Sequence, residues 1–486
     1  MTGSADAEAI VVGAGPNGLA AAVTLARAGL RVTVYERAGR PGGGASTAEL
    51  TLPGFHHDVC SAVHPLAIES PFFRAFELDR RIDLVRPEIS FAHPLDDRAV
   101  VAYRDIERTA EGLGRDGAAY ARLLGPLARS ASAVAETTGN ALLRLPPHPV
   151  TAARLAFGSA EQGSPLWNLR FREGAAPALL SGVSAHAILP LPSLAAAGAG
   201  LALTAYAHGK GWPIPIGGSQ SIIAALVADL EAHGGRVVVS HEVRELRELP
   251  PARIRILDVT PRAALALAGG ELPDGYRRRL ARFRYGQAAA KVDFALSQPV
   301  PWRDEVLRSA PTLHLGGSRA ELAAGEREVA RGRHPSSPYV LVSQPSLVDP
   351  TRAPAGAHTL WTYTHVPSGS REDRAEAVIA QIERFAPGFR DTILAMSSRS
   401  AVDVERHNPN YVGGDIAAGS ADLAQLFVRP VLSPTPWRTP ARGLYLCSSS
   451  TAPGPGVHGL AGWHAARTAL RDEFGIRTGP DLSLGA

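Results

Sequence analysis

"AIVVGAGPNGLAAAVTLARAGLRVTVYERAGRPGG", residues 9–43, holds an apolar run, a glycine turn, an alanine-rich stretch with helical spacing and a second apolar run. Strand, helix and strand within 28 residues make a βαβ unit, the start of a doubly wound parallel sheet. The turn carries Gly13, Gly15 and Gly18, and Glu36 ends the second strand eighteen residues after Gly18. Glycines there allow a tight turn and close backbone approach. The helix N-terminus offers free N–H groups to a pyrophosphate, and an acid at that distance accepts both ribose hydroxyls.

The pattern Gly-x-Gly-x-x-Gly recurs at 112/114/117 and at 454/456/459, so its context has to decide. The middle copy follows the charged "RDIERTAE" and no strand, which reads as a loop before a helix. The first copy has both strand and acidic partner. Directly after it, "RPGG" at 40–43 adds a second glycine pair with a cation beside it, extending the phosphate cradle and favouring FAD over NAD. The predicted cofactor contacts in this half are Gly13, Gly15, Pro16, Asn17, Gly18, Glu36, Arg37, Arg40, Gly42 and Gly43. Near the other end, "GLYLCSSSTAPGPGVHGLAGWHAARTAL" at 443–470 again reads as strand, glycine turn and helix.

The 486 residues, 45% hydrophobic and 20% charged, fit two or three globular domains. Two cysteines, Cys60 and Cys447, form no disulfide framework and sit in no metal-ligand spacing, so a reducing compartment and no metal are expected. The net charge of +4 is spread along the chain without a basic block, which argues against nucleic acid. The opening residues lack a basic region and a cleavage pattern before the first strand, which predicts a cytoplasmic chain. Residues 174–209 carry no Asp, Glu, Lys or Arg, yet Pro190, Pro192 and His186 interrupt them and Ala and Gly dominate. Buried helices around a substrate cavity are expected there in preference to a span or a membrane-surface contact.

Strand and helix alternate again over 213–243, with Ile222, Ile223, Leu226 and Leu230 on one helical face, followed by "RVVVS" and "RIRILDVTP". "KVDFAL", "YVLVS" and "TLWTYTHV" indicate a second sheet. The expected fold is α/β: a discontinuous Rossmann-like FAD-binding domain with an inserted α+β substrate domain. Its segments are 1–70, 213–290 and 436–486 for FAD, 71–212 as a helical cap insertion, and 291–435 as the substrate domain with the second sheet.

"ERAGRPGG", "GGSQSIIAALVADLEAHGGRVVVSHEV", "HNPNYVGGDI" and "GLYLCSSSTAPGPGVHGLAGWHAA" resemble the phytoene desaturase-related FAD-dependent oxidoreductases, relatives of the amine oxidases. The likeness spans nearly the whole chain and is to the less characterised branch, distinct from the carotenoid desaturases. It implies that the C-terminal unit docks beside the first βαβ and covers the flavin end, with Gly456, Val457, His458, Gly459 and Leu460 at the flavin. The serine run 448–450 stands where the family usually has a Gly-Asp pair, making the Ser449 and Ser450 hydroxyls candidates for the ribityl chain. Val243 is similar to the residue that meets the adenine. Lys291 falls where amine oxidases carry a lysine that holds a water at flavin N5, with an exposed or salt-bridged strand lysine as the alternative. His64, Tyr363 and His365 lie in segments expected near the cavity, with satisfied core groups as the alternative. The implied activity is hydride removal from a C–H bond of a largely apolar small molecule, with oxygen or another acceptor reoxidising the flavin. Alternatives are an amine oxidase, and a redox-inert flavin scaffold or flavin isomerase.

Overall fold

The structure is a computed structural model that describes residues 8–485. Five parallel strands form the first sheet in the order Leu444–Leu446, Ile254–Leu257, Ala9–Val12, Val32–Tyr35, Arg236–Val238. Three distant parts of the chain therefore share one sheet. Its central strands are mostly apolar because both faces are covered. Ala9 and Val11 meet the helices Pro16–Arg27, Gln220–Ala232 and Leu460–Phe474, while Ile10 and Val12 meet a layer drawn from residues 243–280. The Ile222, Ile223, Leu226 and Leu230 face is fully buried, as its spacing predicts.

The C-terminal helix lies along the N-terminal one. Ala461, Ala465, Ala466 and Ala469 are fully buried, and a Cβ on Gly462 would lie 1.8 Å from the Asn17 carbonyl oxygen. Small residues set this distance, so the two ends of the chain close on one another. The glycines at 112–117 lie between two helices, as expected for a copy without a strand.

The second sheet has seven strands in the order Ile393–Arg399, Ala288–Leu296, His358–Val366, Val340–Ser343, Thr312–Leu315, Ile89–Pro94, Ala99–Tyr103. The last two correct the reading of 71–212 as a helical insertion: Ala92 pairs with Leu313 across more than two hundred residues. These strands are short and flanked by helices, so local periodicity does not separate them from a loop. The strand that carries Lys291 also begins at Ala288, three residues before the expected boundary. Within 174–209 the prolines split the apolar stretch into helices Ala175–Ser184 and Leu194–Gly209, and no helix among the described residues is long and apolar enough to cross a membrane.

If the Gly462 contact joins the two ends, Gly462→Val lowers stability by about 3 kcal/mol or more and abolishes retention of FAD, because the added atoms meet backbone. Gly174→Ala, whose Cβ meets nothing within 4 Å, leaves both unchanged. Thermal melting and bound-flavin content measure the contrast.

Candidate functional site

The first glycine turn forms a cradle that side chains would fill. A Cβ on Gly18 would lie 2.0 Å from the Gly13 oxygen, and one on Gly43 would lie 2.9 Å from the Gly15 Cα. The Gly42 N–H donates to the Ala14 oxygen at 3.0 Å, so the predicted "RPGG" extension is part of the same turn. Gly15 caps the helix without a side-chain bond, Pro16 sits at its first position, and the buried Asn17 Oδ1 has no partner. Glu36 Oε2 accepts from Ala14 N and Oε1 from Ala38 N, both at 2.8 Å. A carboxylate has further lone pairs for ribose hydroxyls. Arg37 and Arg40 are exposed. Val243 packs with Val12 and Tyr35 at the predicted adenine end.

Asp258, which the sequence reading missed, closes the cradle from below. Its Oδ2 accepts the Gly18 N–H at 2.9 Å. Burial, and then the neighbouring Glu36 charge, push its carboxyl up to about 7 against the pull of that bond. It ends the strand Ile254–Leu257, where only the parallel pairing to Ala9–Val12 brings it under the turn.

The C-terminal unit supplies the other wall. His458 is buried; its Nδ1 accepts from Leu460 N at 3.0 Å and its Nε2 bonds the Gly454 oxygen at 3.1 Å. That arrangement places the ring proton on Nε2. Burial holds this histidine down at about 4, so it is a neutral brace of the first helical turn. Gly456 and Gly459 have φ of 133° and 67°, and side chains there would meet Leu66 and Phe72. Val457 is partly buried between them. The Ser450 hydroxyl donates to the Ala418 oxygen at 2.6 Å, a bond within the protein that competes with the expected ribityl contact. Ser449 offers its carbonyl to Arg429 Nε at 2.9 Å.

The predicted catalytic residues share a sheet face, with one exception. Side chains alternate along Ala288–Leu296 and His358–Val366. Val292, Phe294 and Leu360 point into the apolar core under the helix Ala375–Phe385. Lys291 lies opposite Tyr363, Asp293 opposite Trp361, and Ala289 opposite His365, all on the other face. Lys291 Nζ is ion-paired to Asp293 and lies 5.3 Å from the Trp361 ring centroid. Burial draws the lysine below its ordinary value and raises the aspartate, while each charge favours the other. His365 Nδ1 bonds Glu326 Oε1 at 2.6 Å, and its buried Nε2 has no partner. The Tyr363 and His365 ring centroids are 5.6 Å apart. His64 stands apart from this face: its Nε2 bonds Ser219 Oγ at 2.8 Å, its buried Nδ1 has no partner, and burial lowers it to about 4.

Asp293, Glu326 and Tyr411 were also missed. Tyr411 joins the two halves: its hydroxyl lies 2.4 Å from where a Cβ on Gly44 would stand, and it bonds the Cys60 thiol. Cys60 in turn senses the Lys291 charge. The "HNPNYVGGDI" stretch carries Tyr411, but nothing in its periodicity points to this role. Among the described residues no group of His, Cys, Asp and Glu forms a metal site.

Two substitutions test the cradle. Glu36→Ala weakens FAD binding by roughly 1–3 kcal/mol through loss of a charged acceptor, measured by equilibrium titration of apoprotein. Unchanged affinity would remove Glu36 from the ribose. Asp258 keeps its proton in the fold up to about pH 7, whereas the unfolded side chain ionises near ~4. Its stabilising contribution is therefore full below that lower value and is lost as pH rises through about 7. Asp258→Asn keeps the acceptor for Gly18, so the variant stays stable above this range and binds FAD more tightly there than wild type, while the two converge in mild acid. Melting curves and FAD titrations across pH read both effects.

Residues 11–76 match the model of the NAD(P)-binding Rossmann-like domain. The rat pyridine nucleotide-disulfide oxidoreductase domain-containing protein 2 is 25% identical over 96% of this chain and 93% of that protein. The lycopene-forming phytoene desaturase of Paracoccus sp. is 25% identical over 93% of this chain and 95% of its own. Among solved structures, putrescine oxidase bound to putrescine shares the fold with a TM-score of 0.58, 18% identity and coverage of 95% of this chain and 98% of its own. Cyclohexylamine oxidase from Brevibacterium oxydans gives 0.57, 14%, 96% and 98%. From the cradle, the closure of the two ends and these relationships, the chain is an FAD-dependent oxidoreductase that is similar in sequence to phytoene desaturases and shares its fold with amine oxidases.

Proposed function

We propose that the protein dehydrogenates a largely apolar small molecule in the cytoplasm, removing hydride from a substrate C–H bond, with oxygen or another acceptor completing the cycle. The two-sided second sheet carries this reading: one face is a plain core, and the other gathers Lys291, Asp293, Trp361, Tyr363 and His365 with small apolar residues. Ala62, Ala185, Leu191 and Ala196 pack with Trp361 and Tyr363, so the aromatic part of this face has apolar surroundings. FAD, when bound, supplies the hydride-accepting chemistry.

The chain's residues then divide the work. Gly13, Gly15, Gly18, Gly42 and Gly43 admit the pyrophosphate, Glu36 holds the ribose, and the helix starting at Leu460 offers N–H groups and a positive dipole end to the flavin edge. Lys291 holds a water, and Asp293 keeps the ammonium charged despite burial. The Tyr363 and Trp361 rings position an apolar substrate carbon. Glu326 fixes the His365 ring so that its free Nε2 faces out of that bond.

An amine oxidase needs aromatic rings on opposite sides of the substrate nitrogen. Trp361 and Tyr363 stand side by side on one strand, 5.4 Å apart and nearly perpendicular, which favours the uncharged substrate. A redox-inert scaffold leaves the buried Lys291–Asp293 pair without a use. Anaerobic bleaching of the flavin by polyenes, alcohols and amines separates these readings: bleaching by amines alone overturns the dehydrogenation of apolar substrates, and no bleaching by any favours the scaffold or isomerase.

Lys291→Met tests the water-holding role. With Asp293→Asn added to remove the orphaned carboxylate, the folded, FAD-loaded variant should slow reduction by substrate or reoxidation by about 10²- to 10⁴-fold, the range for a positioned acid–base group. Stopped-flow absorbance separates the two half-reactions. Rates within about threefold of wild type would make Lys291 a structural strand residue.

A further inference from the structure

The helix Leu460–Phe474 has a second occupied face. Leu460, Trp463, His464, Arg467, Thr468 and Arg471 recur at i, i+3 and i+4 and line a cavity of about 460 Å³ on the side away from the N-terminal helix. None of the glycines at 13–18 or 42–43 lines it.

The wall is one-sided in charge. Arg144, Arg467, Arg471 and Arg477 all contribute, against one carboxylate, Glu136. Glu136 is already engaged, by Arg74 Nη2 at 2.5 Å and by His148 Nε2 at 2.7 Å. Arg144 Nε donates to the Pro434 oxygen at 2.8 Å, which leaves its terminal nitrogens available. Among the described residues Arg471 is ion-paired with Asp472 alone, at 3.7 Å, and that aspartate is held by Arg438 through two bonds of 2.6 Å. Arg467 and Arg477 make no ion pair among the described residues. Burial, then repulsion from Arg471 and Arg467, lowers the Arg144 guanidinium, and Arg467 is lowered in the same way by burial and Arg471.

The wall is also aromatic. Trp437 is fully buried, with the Arg144 guanidinium 5.0 Å above its ring, and Arg467 lies 4.7 Å over Trp463. The His464 ring is 4.6 Å from Trp437, and its Nε2 bonds the Gly139 oxygen at 2.9 Å. A guanidinium over the partly exposed Trp463 sets a cation beside an aromatic ring, which suits a ring bearing anionic groups.

We propose that this cavity is a second ligand site, separate from the FAD cradle, for a small polyanion carrying a flat ring: an aryl or heteroaryl phosphate, the chemistry of an adenine nucleotide. Bringing several guanidinium groups together without free carboxylates is unfavourable until an anion neutralises them. The rings then discriminate in favour of a planar ligand over a bare anion.

Calorimetric titration of the FAD-loaded enzyme tests this, with the dinucleotide cradle already filled. ADP should bind saturably, once per chain, more tightly than adenosine or inorganic pyrophosphate, and less tightly at high salt. Arg467→Ala with Arg471→Ala should weaken ADP at least ~10-fold, the loss of two charge-assisted contacts, while FAD content and melting temperature stay at wild-type values. Trp463→Leu should reduce ADP affinity toward that of pyrophosphate. Absence of saturable ADP binding, or equal binding by the double variant, overturns the proposal. So does sedimentation with phosphatidylglycerol vesicles that depends on these arginines in a protein that ignores ADP, since the anion would then be a lipid headgroup.

Discussion

The contact of Gly462 with the Asn17 backbone is the constraint on which the rest depends. It brings a helix from residue 460 onward against one from residue 16, which places the strand Leu444–Leu446 beside Ile254–Leu257 and thus next to the first strand. Arg429 secures the same junction from the loop side. It is buried, and its guanidinium donates to the backbone oxygens of Ser449, Gly419, Ser420 and Ala417. Burial draws it down to about 10, so it remains a cation at physiological pH, and Asp415 lies close enough to favour the charge. The loop that must surround a long cofactor is tied to the chain's own end by backbone contacts that no side-chain pattern advertises.

Placing charges inside such a fold is costly, and the structure meets that cost in two different ways. Around Arg352 the charges are matched: Asp58 at 2.9 Å and Asp349 at 2.6 Å, with Thr47 and the Ser219 and Gly217 amides filling the remaining lone pairs. Breaking one member of such a group leaves a buried charge uncompensated, which costs about 3–5 kcal/mol. This cluster fastens the hairpin around Asp58 to the helix that starts at Gln220, and it has no open valence for chemistry. The groups on the polar face of the second sheet are less complete. His57 Nδ1 lies 3.8 Å from Asp293 and has no hydrogen bond, and burial, Lys291 and Arg352 hold that histidine down at about 3. His57 and His365 on this side of the sheet thus keep buried polar atoms without a hydrogen-bond partner, unlike the matched charges around Arg352.

The cradle and the sheet face are joined through Tyr411 and Cys60, at the boundary between two sheets that are otherwise built from separate stretches of chain. Asp258 belongs to the same boundary. Its carboxyl sits under the glycine turn, where a protonated form suits an incoming pyrophosphate better than a carboxylate does.

The glycine turn, the acid at Glu36 and the "RPGG" extension were legible in the sequence because each is a local device, whereas the return of the C-terminus to the first helix followed only from the family resemblance. A turn needs glycine where backbone approaches backbone, a ribose needs an acid at a fixed distance along the next strand, and a both-sides-buried strand needs an unbroken apolar run. "KVDFAL" and "TLWTYTHV" likewise announced a second sheet, while only the pairing of these strands puts Lys291, Tyr363 and His365 on one face of it. What the sequence alone did not determine is which distant residues complete these devices. Ile89–Pro94 and Ala99–Tyr103 are strands because Thr312–Leu315 offers an edge to pair with. Asp258 reaches the turn through strand register, Asp293 becomes the partner of Lys291 through burial, Glu326 orients His365 from a helix, and His64 is drawn to Ser219 instead of the sheet. Backbone propensity acts over a few residues, while desolvation and charge pairing act between whatever the fold brings together, and only the tertiary structure decides that.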